Sequence, residues 1–267
     1  MVQGDHISFE LISSDDVYTG KVIKDEPLNT KSMNGSFVTI EVEGYGIVQV
    51  YQQGNMITSN SILDRMKRSV IPAQFSSVRW PDFKWSYYGP QMKESREISI
   101  ARKFISNNQY FRENNRGLYI YGKIPGCGKT MLGCMLANEI IYNHSFSVKY
   151  IKQSDYLDLG KSDETAAKET FRSIRDCILL FLDDFGPCST SWQRETIFGL
   201  IEHRQRQGHI TVYMSQIPPD KIRLDDSHKA NDLINASTFG LMLPDIPIRA
   251  NIAAEENKRL EQELMNL

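Results

Sequence analysis

Hydrophobic and polar residues alternate along the first part of the chain, and this pattern predicts β-strands. Apolar residues take every second position in residues 7–11 and again in residues 38–42. The letters "EGYG" separate the second run from "IVQVY", which predicts a hairpin turn. The polar stretch "EPLNTKSMNGS" predicts a loop with its turn at Asn34-Gly35. Residues 1–59 are therefore expected to form a small β-rich module, which either packs on the rest of the protein or binds a partner.

The next part of the chain, residues 60–116, is basic and aromatic. It begins with "SILDRMKRSVIPAQF", which has a helical pattern, and continues as "SSVRWPDFKWSYYGP". Aromatic side chains among Arg and Lys can stack on bases, but they more often fix a connecting segment to a core. Residues 93–111 then predict an amphipathic helix with Ile98, Ala101 and Ile105 on one face.

Strands and helices alternate after Gly117, and this order predicts an α/β core. The alternation indicates βαβ units and a mostly parallel sheet. The strands are apolar nearly throughout, as expected when helices cover both faces of a sheet. The core is expected over residues 117–252, with a C-terminal helix over 253–267. The predicted strands are 118–121, 146–151, 177–182, 210–214 and 239–243.

Composition and charge are those of an ordinary globular protein and exclude several classes. The chain has 267 residues, 40% of them hydrophobic and 24% charged, and a net charge of −2. Such a balance gives no overall positive field for nucleic acid. The sequence shows neither a secretory signal nor an apolar run of the roughly 20 residues that a membrane helix needs. Its four cysteines form no close pair, so we expect neither a zinc site nor disulfides, but a cytoplasmic protein.

The stretch "YGKIPGCGKT" lies between a predicted strand and a predicted helix, which is the context of a phosphate-binding loop. Gly126 and Gly128 allow backbone N–H groups to approach phosphate oxygens, and the helix N-terminus favours the same anion. Lys129 would contact the β- and γ-phosphates of ATP, and Thr130 would offer its hydroxyl to Mg²⁺. The predicted nucleotide-binding residues are Pro125, Gly126, Cys127, Gly128, Lys129, Thr130 and Met131.

The spacing in this loop differs from the usual pattern by one residue. Five residues lie between Gly122 and Gly128, whereas the usual motif has four. Aligned from its C-terminal end, the motif places Lys123 where its first glycine normally stands. Either the loop bulges so that Gly122 serves, or the first glycine is dispensed with. The sequence leaves both alternatives open.

Two other predicted strands end in polar residues that belong to the same chemistry. The apolar run "CILLFLDDFG" ends in Asp183, expected to hold the magnesium shell, and Asp184, expected to polarise or orient the attacking water. The run "ITVYMSQIPP" ends in Ser215 and Gln216, which could contact the γ-phosphate or its water. Open α/β sheets bind ligands at the carboxyl ends of their strands, so these residues are expected to meet.

Taken together, these segments resemble the AAA+ ATPases, and within them the DnaC/DnaI helicase loaders and the IstB transposition proteins. The similarity covers roughly residues 69–251 and lies in "SVIPAQFSSVRWPDF", "RGLYIYGKIPGCGKT", "LLFLDDFGPCSTSWQRETIFGLIEHRQRQG" and "ITVYMSQIPPDKI". The resemblance implies a five-stranded parallel sheet and an ATPase that uses ATP and Mg²⁺. It implies a replicative helicase or a transposase as partner, and a homo-oligomer that forms on ATP or DNA binding.

The resemblance also implies roles for residues outside the phosphate loop. Arg249 falls where relatives keep a sensor arginine. The stretch "YLDLGKSDETAAKETFRSIRD" falls where relatives grip single-stranded DNA, with Lys161, Lys168, Arg172 and Arg175 as its positive charges. Since Asp and Glu are interleaved with them, a solvated helix face is an equal alternative.

One departure from the family pattern bears on catalysis. Relatives carry an arginine that completes the active site of a neighbouring subunit, and the corresponding "NDLINASTF" has none. Two functions therefore remain: a helicase loader that hydrolyses ATP, or an ATP-gated interaction or transposition-helper protein with little hydrolysis.

Overall fold

The computed structural model describes Gly4 and residues 6–10, 17–30, 33–42, 46–53, 56–59, 62–144, 146–222, 224 and 229–265. The chain forms two compact units, Met1–Ser69 and Val70–Leu267. None of the helices in the described ranges is both long enough and apolar enough to cross a membrane.

The first unit contains an antiparallel sheet whose five strands follow one another in chain order. Val22 of the second strand pairs with Ile40 of the third, and Val38 pairs with Val50 of the fourth. All four side chains are buried, so one face of the sheet carries an apolar core, as the alternating pattern predicts. The strands are β1 (His6–Glu10), β2 (Val17–Thr30), β3 (Met33–Val42), β4 (Gly46–Gln53) and β5 (Met56–Ser59), and the helix α1 (Ile62–Ser69) follows them.

The turn predicted at Asn34-Gly35 is wrong. Both residues lie inside β3, where they pair with Asn29 and Leu28 of β2. The polar composition of this stretch indicated a loop, but backbone hydrogen bonds between the strands do not require apolar side chains. Residues 43–45 of the other predicted turn lie outside the described residues.

The second unit is built on a five-stranded parallel sheet in the order β10-β6-β9-β8-β7. Each strand predicted from the sequence is present, with small differences at its ends. The α/β class and the five-stranded parallel sheet are therefore confirmed. The strands are β6 (Gly117–Tyr121), β7 (Val148–Lys152), β8 (Leu179–Phe185), β9 (Ile210–Ser215) and β10 (Thr238–Met242).

Helices flank this sheet, and one of them is enclosed by the rest of the unit. Helix α4 is buried continuously over residues 132–141, so it is apolar nearly all round. The single helix predicted over residues 93–111 is divided at Asn107 into α2 and α3. The helices are α2 (Arg96–Ser106), α3 (Asn108–Glu113), α4 (Lys129–Asn143), α5 (Gln153–Lys161), α6 (Thr165–Asp176), α7 (Ser191–Arg206), α8 (Lys229–Ser237) and α9 (Ile248–Met265).

Two polar residues of α4 hold the segment that precedes α2. Glu139 accepts two hydrogen bonds from the Arg79 guanidinium, each of 2.9 Å, and one of 2.8 Å from the Trp80 N–H. Asn138 donates to the carbonyls of Phe75 and Val78. The bond from Arg79 lowers the pKa of Glu139, so this carboxylate stays ionised and keeps the segment on α4.

A buried arginine links the amino ends of β8 and β9, two neighbouring strands within the parallel sheet. Arg204 is 1% exposed. Its guanidinium donates to Thr211 Oγ1 at 2.9 Å, to the Cys177 carbonyl at 2.7 Å and to the Ile210 carbonyl at 2.6 Å. Because guanidinium has five donors in a fixed plane, one side chain can satisfy several buried carbonyls together.

The substitution Arg204→Met is expected to destabilise the protein by at least about 3 kcal/mol, because it leaves several buried carbonyl groups without donors. Urea unfolding measures this loss. Arg206→Met is the matched control two residues along the same helix, where Arg206 pairs with Glu202 at the surface. Its expected effect is below about 1 kcal/mol. Equal losses in the two variants would contradict a structural role for Arg204.

Candidate functional site

The loop between β6 and α4 has the backbone conformation of a phosphate-binding loop. Gly126 and Gly128 have φ angles of 77° and 97°, in the region that favours glycine. Gly128 is also the N-cap of α4. A Cβ atom at Gly128 would come within 2.5 Å of the Tyr88 hydroxyl. Glycine is thus required at Gly128 by conformation and by space together.

Gly122 occupies a crowded position directly after β6. A Cβ atom there would lie 2.7 Å from Cys127 Sγ and 3.0 Å from the Leu243 carbonyl oxygen. The next residue, Lys123, donates its backbone N–H to Asp245 Oδ1 at 2.9 Å. Of the two alternatives for the unusual spacing, this crowding favours the one in which the longer loop bulges and Gly122 serves as its first glycine.

Lys129 points back into the loop. Its ammonium group donates to the carbonyls of Gly122 and Ile124, at 3.0 Å each, and lies 3.4 Å from Cys127 Sγ. The positive charge of Lys129 therefore lies among the backbone carbonyl groups of the loop. Among the other predicted loop residues, Pro125 is exposed, Cys127 is buried and Met131 is partly buried.

The two residues predicted to hold magnesium are in contact. Asp183, 2% exposed at the end of β8, accepts hydrogen bonds at its Oδ2 atom from Thr130 Oγ1 at 2.9 Å and from the Tyr150 hydroxyl at 2.6 Å. A hydroxyl and a carboxylate are hard oxygen ligands of the kind that Mg²⁺ prefers. Within the described ranges no cluster of three or more His, Cys, Asp or Glu residues could hold a metal alone.

Asp184 has an unusual backbone conformation that separates its side chain from that of Asp183. Its φ angle is 51°, and the pairing of β8 with β9 shifts register between Leu182 and Phe185. A bulge of this kind redirects a side chain, and Asp tolerates the left-handed region better than most residues. As a result the Asp184 side chain is 58% exposed while Asp183 is buried.

Lys152, which sequence reasoning did not identify, pairs with Asp184. Its ammonium lies 3.0 Å from Asp184 Oδ2, and the hydrogen bond raises the pKa of Lys152. Lys152 ends β7, which neighbours β8 in the sheet. The strand order creates this contact, and a lysine at the end of a strand carries no motif that would reveal it.

The two polar residues at the end of β9 differ in their surroundings. The Ser215 hydroxyl donates to the Phe185 carbonyl at 2.7 Å and accepts from the Ile217 N–H at 3.0 Å, so it serves the turn after the strand. Gln216 is exposed at the same edge of the sheet. The proposed contact with phosphate or water stays a prediction for both residues, and the geometry favours Gln216.

Arg249, the second residue of α9, lies beside the phosphate loop. Its backbone N–H donates to the Gly126 carbonyl at 3.0 Å, and a Cβ atom at Gly126 would lie 3.2 Å from Arg249 Cβ. The structure thus brings Arg249 next to the loop that the sequence predicts it serves, although the two lie far apart along the chain.

Aromatic residues of the segment before α2 contact the phosphate loop. Phe83 and Tyr88 are buried, and the Tyr88 hydroxyl donates to the Cys127 carbonyl at 2.5 Å. Burial raises the pKa of Tyr88, so its hydroxyl remains a donor. For these two residues the packing role is confirmed. The rings of Trp80 and Trp85 belong to the same cluster, with centroids 5.6 Å apart.

The positive charges of α5 and α6 are largely paired. Lys161 lies 3.1 Å from Asp158, Lys168 lies 3.2 Å from Asp163, and the Arg175 side chain lies 2.9 Å from Asp176. These pairs are exposed, so each is weak, but together they oppose a strong positive field. The geometry therefore favours the solvated face over a DNA grip, which stays a prediction.

Solved structures resemble this chain in fold. The structure of a candidate primosome component from Streptococcus pyogenes serotype M3 shares 18% identity at a TM-score of 0.54, over 67% of this chain and 94% of that one. A structure of DnaI shares 19% identity at a TM-score of 0.51, over 65% of this chain and 95% of that one.

A structure of the DnaC helicase loader aligns less closely, with 22% identity and a TM-score of 0.45 over 55% of this chain and 88% of that one. No protein-family model and no curated protein sequence matches the chain. The predicted resemblance in fold to DnaI is confirmed, while the resemblance to IstB stays a prediction.

Replacing Gly128 with Ala is expected to destabilise the protein, because the left-handed conformation costs a residue with a Cβ about 1–2 kcal/mol and the new methyl group would meet Tyr88. Thermal unfolding measures the effect. Gly199→Ala is the matched control: Gly199 lies within α7 with open space around it, so Ala should be neutral or stabilise by up to about 1 kcal/mol. If both variants behave alike, the conformation assigned to Gly128 is not a constraint.

Proposed function

We propose that the second unit binds ATP with Mg²⁺ and hydrolyses the nucleotide. The observation that carries this proposal is the 2.9 Å hydrogen bond between Thr130 and Asp183, which are 53 residues apart in the chain. It unites a loop of phosphate-binding geometry with a strand-end carboxylate. A chance Gly-Lys-Thr sequence would not be expected to meet a buried aspartate at the carboxyl edge of a parallel sheet.

Six side chains of the site, together with the loop backbone, have roles in the proposed reaction. The N-terminus of α4 and the loop N–H groups would bind the phosphates, and Lys129 would donate to phosphate oxygens in place of its present carbonyl partners. Thr130 and Asp183 would hold Mg²⁺, whose charge would offset that of the phosphates. Asp184 and Gln216 orient the attacking water. Arg249 adds positive charge near the phosphates.

We further propose that the protein acts in DNA replication as a helicase loader that works as a homo-oligomer and binds a replicative helicase. Support comes from the fold similarity to the candidate primosome component and to DnaI. Binding of single-stranded DNA belongs to the same proposal. At under 20% identity these relatives support the fold more strongly than the partner, so the partner has to be tested directly.

A second candidate is an ATP-gated interaction protein, such as a transposition helper, with little hydrolysis. Two observations favour it. Asp184, which would activate water, is held by Lys152 at 3.0 Å. The helix α8 contains no arginine that could complete the site of a neighbouring subunit.

Lys129→Ala is expected to weaken ATP binding by at least about 100-fold, because the variant loses the only side-chain cation of the loop that faces its interior. Equilibrium binding of a fluorescent ATP analogue measures this. Lys123→Ala is the matched control, since Lys123 is an exposed lysine of the same loop. Equal binding by the two variants and the wild type would contradict the proposed site.

Turnover decides between the two candidates. For the loader, the steady-state rate of ATP hydrolysis should rise when single-stranded DNA is added. Asp184→Asn should lower that DNA-stimulated rate by at least about 100-fold. For the gated protein, hydrolysis stays near background in both proteins while the wild type still binds ATP. An Asp184→Asn variant as active as the wild type would exclude Asp184 as the water-orienting group.

The class of partner is tested by affinity capture with purified proteins. The ATP-loaded chain is expected to retain a replicative hexameric helicase and not a transposase, and Lys129→Ala is expected to lose the helicase. Capture of the transposase alone would replace the loader by the transposition helper.

A further inference from the structure

Tyr150 makes a contact with the candidate metal site that neither the motif nor the proposed reaction uses. It lies on β7, the strand that pairs with β8 at one edge of the parallel sheet. Its hydroxyl donates to Asp183 Oδ2 at 2.6 Å, the shorter of the two hydrogen bonds on that atom. A short O–H···O⁻ bond is of the charge-assisted type, which is stronger than a bond between neutral groups.

The Asp183 carboxylate needs this hydrogen bond because it is buried. Asp183 is 2% exposed, so water supplies little of its solvation. A buried ionised carboxylate must be stabilised by protein donors. Thr130 is one such donor, but Thr130 is also expected to give its oxygen to Mg²⁺. Tyr150 is a second donor, and it lies on a strand that is paired with the strand that carries Asp183.

The direction of this hydrogen bond follows from the chemistry of the two groups. A carboxylate oxygen accepts hydrogen bonds and a phenol hydroxyl can donate one, so Tyr150 is the donor and Asp183 Oδ2 is the acceptor.

We propose that Tyr150 is a positioning residue of the metal site: its hydroxyl fixes Asp183 Oδ2 and so sets the orientation of the carboxylate toward Mg²⁺. This rests on the proposed function, and it adds a residue from a third strand to the loop and the aspartate. Partners that orient a metal ligand in this way commonly contribute 10- to 100-fold to metal affinity.

The test is Tyr150→Phe, which removes only the hydroxyl. A fluorescent ATP analogue is titrated into the full chain with EDTA, and then Mg²⁺ is titrated at a fixed analogue concentration. We expect the affinity in EDTA to stay within about twofold of the wild type. The Mg²⁺ concentration that gives half of the fluorescence change should rise about 10-fold or more.

Tyr156→Phe is the matched control. Tyr156 is a 1%-exposed tyrosine on α5 whose ring stacks on Phe171 at a centroid distance of 4.4 Å, away from Asp183. It should leave both titrations unchanged. A loss in EDTA as large as the loss with Mg²⁺ would mean that Tyr150 merely supports the fold, and it would overturn the proposal.

A second measurement needs no nucleotide. The unfolding midpoint in urea is compared for the wild type, Tyr150→Phe, Asp183→Ala and the double variant. If the hydroxyl acts on Asp183, the shift caused by Tyr150→Phe should shrink by at least half when Asp183 is already absent. Fully additive shifts would overturn the proposal.

Failure of this inference is distinct from failure of the proposed function. A wild type that binds Mg²⁺–ATP while Tyr150→Phe shows the same Mg²⁺ dependence removes only the role of Tyr150. A wild type that binds no nucleotide under any condition removes the site, and the role of Tyr150 with it.

Discussion

The second unit depends on one buried carboxylate. Asp183 lies at the end of β8, where water is excluded, and its charge must be matched by donors from the protein. Those donors come from α4 through Thr130 and from β7 through Tyr150. A group whose solvation would otherwise be lost therefore fixes the relative positions of a helix and two strands. These are the elements that a phosphate-binding site needs to hold together.

Close packing around the phosphate loop also fixes its position relative to the neighbouring elements. Because Gly122 has no side chain, atoms of Cys127 and Leu243 can approach it closely, and Tyr88 approaches Gly128 in the same way. Because a side chain at either glycine would meet atoms already in place, the loop cannot relax independently of its neighbours. Its shape is thus set by the aromatic segment on one side and by the end of β10 on the other, before any ligand is considered.

Much of the second unit could be predicted from the sequence. Apolar runs separated by helical patterns indicated the five strands. Local motifs predicted that Thr130, at the start of α4, and Asp183, near the end of β8, lie at one site, and the two residues do meet. What could not be predicted was the order of neighbours. Lys152 and Tyr150 act on the two aspartates only because β7 lies beside β8, and a local motif carries no information about that order. The polar hairpin of β2 and β3 was missed for a related reason, since its stability comes from pairing and not from composition.

Most of helix α9 lies at the surface, and the Leu264 side chain is 67% exposed. Yet the backbone of its second residue, Arg249, is bonded to the phosphate loop. A backbone contact of this kind tolerates any side chain except proline, which has no N–H to donate. The C-terminal part of the chain is therefore free to vary widely in sequence along its surface while its first turn stays coupled to the loop. Removing the chain after Pro247 would also remove the backbone contact between Arg249 and Gly126, and with it one support of the candidate phosphate loop.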